Sequence, residues 1–351
     1  MFDVEIVSSI ADIDEGVWRC LNGDRPFSSP RWFRFLERAF AGDQPIYMIL
    51  SQSAVPVAQA VFWVKGDEPL PLASTSLRQL TAAAIHRWPL LLAYDPLVSG
   101  QSSLLLPAET ALRPAALETI SQHALTQLEI HKGSFLLYSY LDETQSHWAG
   151  WPPDFVTLDF DDPEMVLPIE WASFEAYLAW LRQSRKSAYK DYRRHINRAA
   201  DSGIEVTVHD RVTAVDEALA LVRTTERHHD TMPHPNARLV MEQMAMVEGR
   251  WLAARQNGRL VGCGLLLGDN GGWTMKFLGL DYDVRYAYFS LIYAAIQEVI
   301  EADGKRLFGG TGAYMLKERL GFQRQKNTCV GFVSRSRPLR WLGRHLAGQA
   351  V

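Results

Sequence analysis

Cysteine is scarce: the 351-residue sequence has three, Cys20, Cys263 and Cys329, odd in number and far apart. That is poor material for a disulfide framework or a Cys-x-x-Cys metal site, and it fits a reducing compartment. Long apolar runs are missing as well. No stretch approaches the ~20 residues of a membrane span, and MFDVEIVSSIADIDEG carries acids where a secretory signal needs a basic stretch followed by an apolar one. The expectation is a cytoplasmic protein without a transmembrane segment. Net charge is also small, since 36 Lys and Arg against 40 Asp and Glu leave −4. Binding of nucleic acid through overall charge is thereby disfavoured, and any polyanion site must be local. What remains is an ordinary globular composition, 47% apolar and 22% charged, which excludes disorder and fibrous repeats. A chain of this length exceeds the roughly 250–300 residues at which one core stops growing, so two domains are expected.

The pattern of elements supports that division, because one order occurs twice. In the first half a short helix near Pro30–Phe40 precedes a hairpin, Ile46–Leu50 with Val55–Val64. An apolar run at Pro89–Val98, a helix from about Pro107 to His131 and a strand at Ser134–Leu141 follow. In the second half Asn236–Val247 reads as helix, and Trp251–Gln256 with Leu260–Gly268 as a hairpin across Asn257-Gly258. A strand at Trp273–Leu280, a helix at Tyr286–Ala302 and a strand at Arg306–Phe308 complete the repeat. Two prolines and several acids in DDPEMVLP, Asp161 to Pro168, mark the boundary. The division is 1–165, 166–335 and a short basic tail, 336–351, where Arg337, Arg340, Arg344 and His345 surround Trp341 and Leu342. Such a tail fits disorder, packing on the domain, or contact with a membrane surface.

Chemistry-bearing residues concentrate in the second half. Ser173–Ala200 has a helical apolar face, and from Arg182 to Arg198 it packs seven cations into seventeen positions, Arg193 and Arg194 among them, against the single acid Asp191. Either this is a solvated helix face, or it binds a phosphate-bearing donor or tRNA, with Tyr189 and Tyr192 available for stacking. Glu226-Arg-His228-His229-Asp230 offers Glu226 or His229 as a base for an amine, since imidazole titrates near neutral pH. The spacing on to His234 does not close a metal site, and no metal is expected. Lys276 lies among apolar residues of a strand, and Gly309-Gly310-Thr311-Gly312 lets backbone approach a ligand closely.

The stretch Phe174–Gly203, LVRTTERHHD, WLAARQNGRLVGCGLLL and GGTGAYMLKERLGF together resemble the C-terminal half of FemAB-like proteins. These are tandem-GNAT acyltransferases related to peptidoglycan biosynthesis. The resemblance spans about Trp171–Phe332, and PFSSPRWFRFLERA is similar to the family's first helix. It implies an α/β fold of two tandem GNAT-like domains, each a mixed sheet flanked by helices. It also implies a splay between the fourth and fifth strands of the C-terminal domain, whose free amides would hold a carbonyl oxyanion. Many GNAT enzymes carry A-x-x-x-Y-x-x-x-G-F after the fifth strand. Here Ala313 to Phe322 keeps that frame with Lys317 in the tyrosine position, as a candidate to protonate the leaving group or to hold a substrate charge, and with Gly310, Thr311 and Tyr314 beside it. One departure concerns the donor. Acetyl-CoA-binding GNAT folds use [QR]-x-x-G-x-[GA] for pyrophosphate, whereas Asp281–Ser290 has no glycine and leaves Arg285 as the phosphate anchor, and Ser99–Ser103 also lacks the pattern.

Three functions follow from these observations. The first is N-acyl transfer to an amine of a small molecule or peptide. Its co-substrate is acyl-CoA or aminoacyl-tRNA, with no tightly bound cofactor, and attack is direct because no nucleophile–base pair is present. The second is a non-catalytic module that keeps the fold to grip a peptide or glycan fragment. The third is RNA binding through the basic helix, which requires a steep salt dependence.

Overall fold

The structure is a computed structural model describing residues 2–68, 75–159, 162–326 and 328–341, with all side chains among them except those of 75–78 and 80. The chain opens with β1 (Asp3–Val7), α1 (Glu15–Asn22) and α2 (Pro30–Ala39), then β2 (Gln44–Gln52) and β3 (Val55–Lys65). After α3 (Thr75–Arg87) come β4 (Leu90–Ala93), β5 (Leu104–Leu105), α4 (Arg113–Ile130), β6 (Leu136–Leu141), α5 (Glu143–Ser146) and β7 (Val156–Asp159). The second stretch has β8 (Met165–Pro168), α6 (Phe174–Ser184), α7 (Lys186–Asp201), β9 (Ile204–His209), α8 (Val215–His228) and α9 (Ala237–Gln243). It continues with β10 (Glu248–Gln256), β11 (Arg259–Asp269), β12 (Gly272–Leu280), α10 (Ala287–Glu301), β13 (Arg306–Phe308) and α11 (Tyr314–Leu320). Two short strands, β14 (Gln323–Arg324) and β15 (Cys329–Val333), close the described elements.

These elements form two compact units with two mixed sheets. One sheet runs β1-β2-β3-β4-β6-β15-β7, with β5 beside β3, and the other runs β14-β8-β13-β12-β11-β10-β9. The second strand of each terminal pair has been exchanged. β15 lies between β6 and β7, while β8 lies between β13 and β14. Compact units therefore do not coincide with the linear division 1–165 and 166–335. Asp24–Phe40 joins Glu164–Arg324, and the described residues from Gln325 to Trp341 join the first unit. Of the basic tail, 342–351 lies outside the described residues, as does Asp161 at the boundary.

Local chemistry explains most of the boundaries. Asn257 and Gly258 both have positive φ, as a two-residue hairpin loop requires between β10 and β11. The helical run expected from 173 to 200 is two helices, because Arg185 leaves helical geometry at φ −140, ψ 57. In each unit one parallel strand pair, β4 with β6 and β12 with β13, is joined by a crossover containing a long helix, α4 or α10.

α2 carries Trp32, Phe33, Phe35, Leu36 and Ala39 on its buried face, and Ser29 caps its start by accepting from Trp32 N at 3.0 Å. Buried Asp269, at the end of β11, fixes that start by accepting from the backbone N–H of Ser28 (3.1 Å) and Ser29 (3.0 Å) and from the Ser29 hydroxyl. Asp269→Ala leaves these donors unsatisfied, so unfolding should become easier by about 3 kcal/mol. Residues 24–40 should become the first site of limited proteolysis. Unchanged denaturation and cleavage would show that Asp269 does not hold α2.

Candidate active site

β12 is the strand on which the site is built. It pairs with β11 along its length, but Cys263 faces Gly279 while Leu265 faces Lys276, so two residues of β12 stand opposite one of β11. Phe277 takes up the extra length at φ +50, the left-handed region that disfavours a side chain of its size. Along the opposite edge β12 pairs with β13 only from Gly272 to Thr274, against Arg306 to Phe308. From Met275 onward that edge has no strand partner among the described residues, which is the splay expected from the resemblance.

The chain leaving β13 enters Gly309–Gly312 and then α11. Gly310 and Gly312 have φ of +76° and +77°, and a Cβ on either would meet nothing within 4 Å, so the loop needs glycine for its backbone and stands open. Lys317, one turn into α11, is buried with only 5% of its surface exposed. Its ammonium donates to the carbonyls of Gly310 (2.9 Å) and Thr311 (3.1 Å). Burial pulls its pKa down to about 8, nearby Glu164 opposes the fall, and the charge of Lys276 adds to it. Glu164 is itself buried and accepts the Gly310 N–H at 2.5 Å, while Met165 O accepts from Gly309 N at 2.8 Å. The glycine loop is thus held from below by the entry to β8 and from above by Lys317.

Lys276 sits just past the last β12–β13 pair, half-buried and with no hydrogen-bond or ion-pair partner among the described residues. Thr311 is exposed, and Tyr314 is half-buried under the Arg324 guanidinium, 4.8 Å from its ring centroid. The two bases named from sequence are elsewhere engaged. Glu226 accepts twice from Arg223 Nη1 (2.6 and 2.8 Å) and once from His234 N (3.0 Å), while Arg223 Nη2 donates to His234 O (2.9 Å). A carboxylate held in this way ties down the loop after α8. His229 is exposed and hydrogen-bonded to the Tyr282 hydroxyl at 2.9 Å, with His228 stacked on the same ring. No described contact joins either residue to Lys317.

The basic helix comes close to this site through α11. Asp191 of α7 takes Arg194 at 2.8 Å and also Arg319 of α11, and Arg185 Nη1 donates to Glu318 O at 2.5 Å. Arg193 is exposed without an ion-pair partner among the described residues. On the buried side of α7, His195 stacks on Phe289 at 3.7 Å between ring centroids, and its Nδ1 is buried without a hydrogen bond. Burial lowers its pKa, with Arg194 adding to the effect. His195 was missed in the sequence, although its seven-residue spacing from Ala188 and four-residue spacing to Ala199 place it on the buried stripe. Phe289 lies in the first turn of α10, preceded by exposed Arg285 and by Tyr286 at φ +74. Among the described residues no three His, Cys, Asp or Glu side chains gather to hold a metal ion.

Comparison with known proteins bears on the fold. A family profile described as an acetyltransferase (GNAT) domain matches residues 186–318. Among solved structures, FemX superposes with a TM-score of 0.60 at 9% identity, over 96% of this chain and 99% of FemX. A tandem GNAT protein from the clavulanic acid biosynthesis pathway gives 0.56 at 14% identity, over 95% and 99% of the two chains. A conserved protein of unknown function from Bacteroides thetaiotaomicron gives 0.55 at 12% identity, with the same coverages. No curated protein matches in sequence. The fold is the tandem GNAT fold, and the FemAB-like resemblance read from the sequence holds at that level.

Proposed function

We propose that this chain, a tandem GNAT protein by fold, is an N-acyltransferase whose reaction takes place where β12 parts from β13. The observation that carries the reading is a buried lysine with a depressed pKa, Lys317, at the mouth of a glycine loop beside an unpaired strand edge. The acceptor is an amine on a small molecule or peptide, and the donor an acyl-CoA or aminoacyl-tRNA. The amine attacks the acyl carbon directly and a C–N bond forms. The tetrahedral oxygen is met by β12 amides past Thr274, and the C–S or C–O bond to the leaving group then breaks. Lys317 gives its proton to the departing thiolate or alkoxide, a step eased by a pKa near working pH. The proton of the attacking amine passes to solvent.

Charge on the donor is received by Lys276 and, further out, by Arg193, Arg194 and Arg285. The ammonium of Lys276, without a partner among the described residues, and the first turn of α10 behind Arg285 are suited to an oxyanion or phosphate. The glycine-free turn Asp281–Ser290 favours a donor other than acetyl-CoA, so thermal-shift measurements should compare acetyl-CoA, longer acyl-CoAs and charged tRNA. Amide formation with any of them establishes the reaction. Absence of both turnover and stabilisation with all three would leave the binding-module reading. Arg193→Ala with Arg194→Ala should weaken donor binding about tenfold at low salt with little change in melting temperature, because neither residue is buried. Equal affinities in the two proteins would remove α7 from the donor site.

A further inference from the structure

We propose that the first unit docks on an anionic lipid bilayer through the face where α3, the starts of β4 and β6, and the start of the helical segment 337–341 meet. A cavity of about 560 Å³ opens there, walled chiefly by Ile85, Trp88, Leu90, Phe135, Pro338 and Leu339, with no charged side chain in its lining among the described residues. The face also presents large apolar side chains to water. Trp88, in the cavity wall, is 52% exposed, and Ile130 and Trp341, within three residues of the lining in sequence, are 62% and 68% exposed. An apolar cavity with an exposed tryptophan in its wall is more than a scattered surface hydrophobic, and such patches mark contact with protein or membrane.

Charge decides between those partners. Arg87, Lys132 and Arg337 are exposed, each next in sequence to a residue lining the cavity, and none has an acidic partner among the described residues. Arg335 and Arg340 are already paired, with Glu129 and with Asp154 at 2.6 Å. The exposed residues that flank the lining in sequence are therefore cationic in excess, while the lining itself is chiefly apolar. A bilayer of anionic lipid supplies both complements at once, phosphate headgroups for the rim and acyl chain for the cavity. Tryptophan is suited to the boundary between them, having an apolar ring and one N–H donor. Pairing of Ser134 Oγ with Trp88 O (3.0 Å) and of Ser334 Oγ with Ser134 O (2.6 Å) ties the three segments together, so the face is presented as one surface.

The test is co-sedimentation of the full chain with vesicles of pure phosphatidylcholine and with vesicles containing 30 mol% phosphatidylglycerol (roughly the charge density at which basic residues act, each contributing about a factor of five). Binding is expected to the anionic vesicles only, and to weaken with salt. Arg87→Glu, Lys132→Glu and Arg337→Glu together should reduce it by roughly 100-fold or more. Trp88→Ala should weaken it while leaving the salt dependence in place. All four positions are solvent-facing, and an unchanged melting temperature will show that each variant is folded. Three results would overturn the proposal: equal binding to both vesicles, no binding to either at low salt, or full binding by the triple variant. Stabilisation by a free fatty acid without vesicle binding would also overturn it, assigning the cavity to a single acyl chain.

Discussion

Lys317→Met should lower turnover by roughly 10²- to 10⁴-fold, the range for loss of a general acid. Methionine keeps most of the apolar stem. Its cost is two hydrogen bonds to the Gly310 and Thr311 carbonyls, and its gain is removal of a buried positive charge, so the melting temperature should change little. The kinetic loss can then be read as chemistry. Lys317 must be protonated to act, so activity of the native chain should fall as pH rises through about 8, and this alkaline limb should vanish in Lys317→Met. Stability carries a linked sign. The folded-state pKa of about 8 lies below the ordinary 10.5, so between those values the unfolded chain binds more protons, and native stability should rise with pH across that window. The variant should lack the rise. Lys317→Tyr supplies another acid and should retain part of the rate. Turnover by Lys317→Met equal to native would remove Lys317 from the reaction and reduce it to a brace for the glycine loop.

Glu164→Gln should move that alkaline limb to lower pH. The amide oxygen can still accept the Gly310 N–H, so the loop stays in place, but the negative charge that supports protonation of Lys317 is gone. A shift of about one unit is the modest end of what an opposite charge nearby provides. The rate at acidic pH should be nearly native, and the rate near pH 8 lower by about fivefold. Glu164→Ala removes the acceptor as well, which should loosen the glycine loop and raise KM across the whole pH range. These two readouts separate charge from scaffolding. An unchanged pH profile in Glu164→Gln with a raised KM in Glu164→Ala would make Glu164 a structural anchor alone.

The residues that were legible in the sequence are those whose partners are near in the chain. Asn257-Gly258 fixes its own hairpin, and the interval from Ala313 to Gly321 is a property of one short helix, so Lys317 could be singled out. Glu164 could not. Among acids and prolines it reads as linker, and its partner Gly310 stands 146 residues away. The break at Arg185 carries neither glycine nor proline, so a continuous helix was the natural expectation. Phe277 is another case: nothing in an apolar strand of alternating direction announces a left-handed residue, because the bulge is set by pairing with β11. Glu226 was visible as an acid beside histidines, but its neutralisation by Arg223 depends on how α8 ends and turns back at His234.

The exchanged strands have a consequence for the order in which the protein can be made. β7 has β15 as its sheet neighbour, and β15 also pairs with β6, so the first unit's sheet remains open at that side until residues 329–333 have been synthesised. Unit-by-unit folding from the N-terminus, the usual course for multidomain chains, is not available to this one. A nascent chain of about 300 residues presents a nearly finished but unclosed sheet, with the edge of β6 unpaired and prone to wrong partners. Both units reach their final strand pairing only once residues 323–333 are present, which makes the exposure of β6 before that point the vulnerable interval in the biosynthesis of the molecule.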